Sequence, residues 1–207
     1  MDWTQIIIAS ISSITTILSV YLGKVFVDRR RQLKRDPIKE DLETNRNIIL
    51  CLDFILDQTG ADRAYIMQFH NGGYYVSGRS QQKFSCSHEV CSLGTSREAS
   101  KSQNHLISNF HDYIDALINK GEYYYSDTQY IKDETLKNLV LSKGVESLFN
   151  VPLKTLDGKI IGILGVDFVK DKADPIYSKS DKLEIRSVEQ MKEHLRTQGR
   201  ILSAYLI

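Results

Sequence analysis

The chain has 207 residues, enough for one ordinary domain with an appendage but not for two large ones. A formal net charge of +1 with 26% charged residues describes an ordinary globular surface, and the basic residues are not interleaved with stacking aromatics, which excludes a nucleic-acid partner. The charge is uneven, because residues 2–35 hold six basic side chains against Asp2 and Asp28, leaving a mildly acidic remainder.

Trp3 to Gly23 contains no charged residue, and as a helix at ~1.5 Å per residue it spans ~30 Å, the thickness of a bilayer core. Trp3 and Tyr21 sit near its ends, where amphipathic rings favour the lipid interface. The start is Met1-Asp2 rather than basic, and no small-residue cleavage site follows, which speaks for a retained anchor over a cleaved signal peptide. Residues 1–27 are therefore expected to be a single transmembrane anchor, 28–37 a basic linker and 38–207 a globular domain. The basic run "RRRQLKR" after the span places that domain in the cytoplasm, on an inner or plasma membrane. Cys51, Cys86 and Cys91, an odd number, agree with a reducing compartment. Ala9, Ser12, Thr16, Ser19 and Gly23 share one helical stripe of small residues, the pattern of close helix–helix approach. The same hydroxyls are also compatible with bonds to their own backbone.

Asp36-Pro37 breaks the chain, and a helix is predicted from Ile38 to Thr59, closed by Gly60. Leu42, Asn45, Ile49, Leu52 and Leu56 form a short heptad stripe, either a second self-association surface or the face packed on the helix's own domain. Next come a strand at Arg63–Phe69, a weaker one within "KFSCSHEVCSL", a helix over 105–119 and a short strand in "EYYYSDT". A helix over 132–142 precedes "SLFNVPLKTLDGKIIGILGVDF", two strands joined at the turn signal Asp157-Gly158. Gly162 and Gly165 in the second strand point to close approach by another group, and a helix is predicted from Ser180 to the end. This order gives an α+β fold, an antiparallel sheet flanked by helices behind the N-terminal span.

The order of elements, and above all "GVESLFNVPLKTLDGKIIGILGVDF", resembles a GAF domain over roughly residues 41–206. The resemblance implies a small-molecule pocket between the sheet and the middle helices, and dimerisation through the first and last helices. It leaves the ligand and any cofactor unknown.

The stretch "YIMQFHNGGYYVSG" lacks the spacing of a dinucleotide loop or a nucleophile elbow and reads as a strand end. With the first strand along the pocket floor, His70 and Asn71 would offer polar atoms at its mouth and Tyr75 a stacking face. Arg79 would suit an anionic ligand, Arg97 and Glu98 are further charges in the irregular middle, and Asp167, among apolar neighbours, needs a partner. A metal reading combines His70, Cys86, His88 and Cys91, though Cys86-x4-Cys91 lacks the second pair of a structural zinc site.

Three functions are open. The first is a non-enzymatic, membrane-anchored sensing or regulatory module acting through homo-oligomerisation. The second is a lesion-forming lysis protein, since certain single-span phage holins are similar in having one transmembrane helix and a GAF-like domain. The third is a thiol redox enzyme using Cys86 and Cys91; a GAF-type methionine-sulfoxide reductase group is similar in using cysteines of this middle region, but its cysteine motif is not matched residue by residue here.

Overall fold

A computed structural model of the chain describes residues 3–34, 36–169 and 187–207, with side chains except those of residues 5–11 and 31–34. The backbone divides into two compact units, Met1–Thr44 and Asn45–Ile207.

The first unit holds helix α1, Trp3–Lys34, and the start of α2, Pro37–Thr59. The break between them is chemical. Asp36 Oδ1 accepts from the Lys39 N–H at 3.1 Å, capping α2, and Pro37 takes the first helical position, where its missing N–H costs nothing. The expected transmembrane span is corrected here: α1 has the length, but among the described residues no helix is long and apolar enough to cross a membrane. Thr16 Oγ1 donates to the Ser12 carbonyl at 2.9 Å and Ser19 Oγ to the Thr15 carbonyl at 2.8 Å, so these members of the small-residue stripe bond their own helix. Gly23 has open space around it, and the Ala9 side chain lies outside the described residues. The lesion-forming reading depended on a membrane-crossing helix, and among the described residues it has none.

The second unit is an antiparallel sheet between two helical layers. Its strands are β1 Arg63–Tyr74, β2 Ser80–Cys91, β3 His105–Leu106, β4 Tyr123–Tyr125, β5 Ser147–Lys154 and β6 Ile160–Phe168, in the order β3-β2-β1-β6-β5-β4. On one face, Ala64, Ile66, Val151, Leu164 and Val166 pack against Ile48, Leu52 and Ile55 of α2 and Met191, Leu195 and Leu202 of α5, Val188–Tyr205. On the other, Tyr65, Met67, Phe84, Cys86, Leu148 and Ile163 meet α3, His111–Asn119, and α4, Glu134–Ser142. The period-two alternation of β1 thus feeds two cores.

Several expectations change in detail. The predicted helix from His105 begins as a short strand and a 3-10 turn, so α3 starts only at His111. Residues 180–186 of the predicted last helix lie outside the described residues. In α2, Leu52 is fully buried with Ile49 and Leu56 packed beside it, so this part of the heptad stripe is the helix's own core face, while Leu42 is exposed. Gly162 and Gly165 do admit close neighbours: a Cβ at Gly162 would strike the Met67 carbonyl, and one at Gly165 the Tyr65 ring and the Asn150 amide.

β2 carries a bulge. Ile66 pairs with His88 and Met67 with Cys86, leaving Ser87 as the extra residue. The freed Cys86 N–H donates instead to the Ser102 carbonyl at 2.7 Å.

Candidate functional site

The grooves on one side of the sheet are set by α3. Ile114, Leu117 and Ile118 face Phe69 of β1, Pro152 of β5 and Ile163 of β6 across an apolar groove of about 270 Å³. A wider, polar groove of about 750 Å³ shares Gln82, Ile107, Ile114 and Ile118 with it and is rimmed by Tyr75, Arg79, His111 and Asp115. The shared residues make the two grooves neighbours, an apolar floor beside a charged rim. Such a combination suits a small molecule with an apolar body and a polar end.

The expected site residues do not converge. Tyr75 and Arg79 lie together on the rim of the wide groove. His70 does not, because strand alternation turns it to the opposite face, where Nε2 is 2.8 Å from Ser85 Oγ in a shallow groove bordered by Ile161 and Leu206. β1 does not end at His70 either. It continues through Gly72 and Gly73, whose φ of +113° only glycine adopts readily, to Tyr74, and the turn closes between Tyr75 N–H and the Arg79 carbonyl at 2.8 Å. Asn71 pairs with Gln82 in that hairpin, its side-chain carbonyl accepting from Ser80 Oγ.

Asp167 is an interior residue. Its Oδ1 is 3.0 Å from the Tyr65 hydroxyl, which is also 3.0 Å from Asn150 Oδ1, and Asn150 Nδ2 donates to the Tyr113 hydroxyl at 2.8 Å. Burial raises the Asp167 carboxyl to about 6, against the pull of Lys143, Arg63 and the Tyr65 hydrogen bond towards the charged form. Burial likewise raises the Tyr65 and Tyr113 phenols and lowers the Lys143 ammonium. Arg63, 1% exposed, donates through Nε to the Ser96 carbonyl at 3.0 Å and through Nη2 to the Lys143 carbonyl at 2.9 Å. Its Nη1 stands 3.6 Å from Asp167 Oδ2, an ion pair too long for a hydrogen bond. Glu89 accepts from the Glu98 and Ala99 N–H groups, which holds the loop that carries Ser96. Sequence reading singled out Asp167 as a carboxylate in need of a partner but missed the partners; the available sign was the charge of Arg63 at the head of an apolar strand. Glu98 itself pairs with Lys101 at 2.7 Å, which lowers its pKa.

Geometry among the described residues lends the metal and redox readings no support. The bulge at Ser87 puts Cys86 in the α3-side core while His88 Nε2 reaches Asn45 Oδ1 at 2.7 Å beside α2. Among the described residues no group of three or more His, Cys, Asp or Glu is arranged to hold a metal. Cys86 and Cys91 lie five residues apart on one strand, roughly 15 Å, far beyond the ~7 Å Cα separation that a disulfide tolerates. Burial pushes the Cys86 thiol up to about 12, which leaves it protonated and a poor nucleophile.

No protein-family model and no curated protein matches this chain in sequence. Solved structures do match in shape. A far-red cyanobacteriochrome photoreceptor aligns over 91% of this chain and 97% of its own at TM-score 0.54 and 16% identity. The blue-light absorbing form of the PixJ GAF domain of Thermosynechococcus elongatus aligns over 82% and 90% at TM-score 0.55 and 14% identity. A far-red absorbing dark state with bound biliverdin IXa aligns over 79% and 97% at TM-score 0.51 and 10% identity. At these identities the likeness is one of fold, and the fold of this chain is that of a GAF domain.

Proposed function

We propose that the chain is a non-enzymatic sensing or regulatory module whose GAF-type domain binds a small amphipathic molecule in the paired grooves beside α3. The observation that carries this reading is the juxtaposition of an apolar floor, Phe69, Ile114, Ile118 and Ile163, with a rim holding Tyr75, Arg79 and His111. The same side of the fold faces the ligand in the resemblance drawn from sequence, and one structural neighbour holds biliverdin, a molecule of the amphipathic class. Self-association belongs to the proposal too. Leu50 and Phe54 on α2 and Ile201 on α5 are exposed apolar side chains on the outer helical layer, a surface suited to a second copy.

The test is titration of the purified chain with biliverdin IXa and with 8-anilinonaphthalene-1-sulfonate, an apolar dye with an anionic end. Ile118→Trp, at a half-exposed position, fills the groove without disturbing the core. Saturable binding that this variant abolishes supports the reading. Binding that the variant leaves unchanged, or none by either probe, overturns it.

A further inference from the structure

Pairing between β1 and β6 stops at Gln68–Gly162, and beyond it Phe69, His70, Asn71 and Tyr74 of β1 pair with β2 alone. The β1–β2 hairpin therefore runs on past the sheet at the end where the β5–β6 turn also lies. Both tips carry bare apolar side chains. Tyr74 is 69% exposed, and Val76 in the first turn and Leu156 in the second are fully exposed.

The two hairpins at this end are themselves predominantly basic, although Asp115 of α3 shares the groove rim with Arg79. Residues 69–85 include Arg79 and Lys83 and no acid, and the second turn adds Lys154 and Lys159 against Asp157 alone. Scattered surface apolar residues need no explanation, but two hairpin tips at one end, each apolar and flanked by lysine or arginine, do. Another protein surface would cover the tips without needing four cations. An anionic lipid interface accepts both features: aromatic and aliphatic side chains enter the headgroup region while basic ones meet lipid phosphates.

We infer that the two hairpin tips, Tyr74–Val76 and Leu156, form a peripheral contact with an anionic lipid surface. It does not depend on α1 crossing a bilayer or on a ligand in the grooves. Tyr75 and Arg79 also border the candidate ligand groove, so the test avoids them.

The experiment uses the full chain carrying Trp3→Phe, which removes the native indole, with Val76→Trp or Leu156→Trp as the reporter. Vesicles of phosphatidylcholine containing brominated lipid are prepared with and without phosphatidylglycerol, and circular dichroism checks that each variant folds. The expected result is blue-shifted, bromine-quenched emission at both positions in phosphatidylglycerol vesicles. Lys83→Gln and Lys159→Gln should each weaken that vesicle binding about fivefold. If the chain sediments with vesicles while both reporters stay unquenched, α1 alone binds lipid and the inference fails. It fails equally if the reporters become shielded without lipid as protein concentration rises, which would assign the tips to a second copy. Equal quenching with and without phosphatidylglycerol would also overturn the anionic specificity.

Discussion

The Tyr65 hydroxyl and Asp167 Oδ1 stand 3.0 Å apart in the interior, yet the same hydroxyl is as close to Asn150 Oδ1. One phenolic proton cannot serve two acceptors. Because the Asn150 amide nitrogen donates to Tyr113, its oxygen faces Tyr65, so an amide oxygen and the Asp167 carboxylate compete for the one Tyr65 proton. Burial is the largest influence on Asp167 and raises its pKa even though the Tyr65 hydrogen bond favours the charged form.

That raised pKa sets a pH dependence. Asp167 goes from an ordinary 3.8 to about 6 on folding, so the native state holds the proton more tightly than the unfolded chain. Its contribution is fully present below about pH 4 and is lost as pH rises through about 6, a loss of about 3 kcal/mol by neutrality. In urea titrations across this range, Asp167→Asn should flatten the fall in stability. A fall equally steep in the variant would assign it to another group.

Arg63 predicts a different kind of loss. Its two guanidinium donors hold the Ser96 and Lys143 carbonyls, tying two loops to the edge of β1 beside Asp167. A lysine keeps the charge but cannot present a planar fork to two carbonyls at once. Arg63→Lys should cost about 2–4 kcal/mol by chemical denaturation, close to the cost of removing the charge altogether.

The glycines separate by what stands behind them. Gly162→Ala meets the Met67 carbonyl and Gly165→Ala the packed Tyr65 ring, neither of which yields without moving the sheet. Each should destabilise the fold by about 1–3 kcal/mol or more. At Gly72 the neighbour is the flexible Lys83 side chain, and Gly72→Ala should stay within about 0.5 kcal/mol of the parent in thermal unfolding.

The three thiols should differ in alkylation. Cys86 is buried and protonated, whereas Cys51 and Cys91 are part-exposed, though burial raises their pKa as well. Iodoacetamide under native conditions should label Cys51 and Cys91 slowly and Cys86 only after unfolding, read by peptide mass spectrometry. Oxidation should produce no Cys86–Cys91 disulfide within one chain.

The central sheet was legible because its signals are local. Asp157-Gly158 sits between two β runs, and the structure closes the turn there, with Gly158 at φ +85°. Gly60, at φ +63°, ends α2 for the same short-range reason. The site was less legible because its parts come from distant segments. Nothing in the vicinity of Pro152 or Ile118 says that they face each other, since that contact depends on where α3 lies on the sheet. His70 was misplaced because two glycines looked like an exit from the strand, when they are a twist within a longer hairpin. The apolar N-terminal stretch has the length of a span, but among the described residues no helix is long and apolar enough to cross a membrane.

The extra residue at Ser87 acts as a phase shifter. Upstream of it, Phe84 and Cys86 serve the core beneath α3; downstream, Val90 serves the core beneath α2 and α5. A single strand thereby supplies both halves of the domain, which a strictly alternating strand of the same sequence would not do. Deleting Ser87 would leave every side chain chemically intact and yet send half the strand to the wrong partners, so the length of the chain at this point is as much a part of its code as its letters.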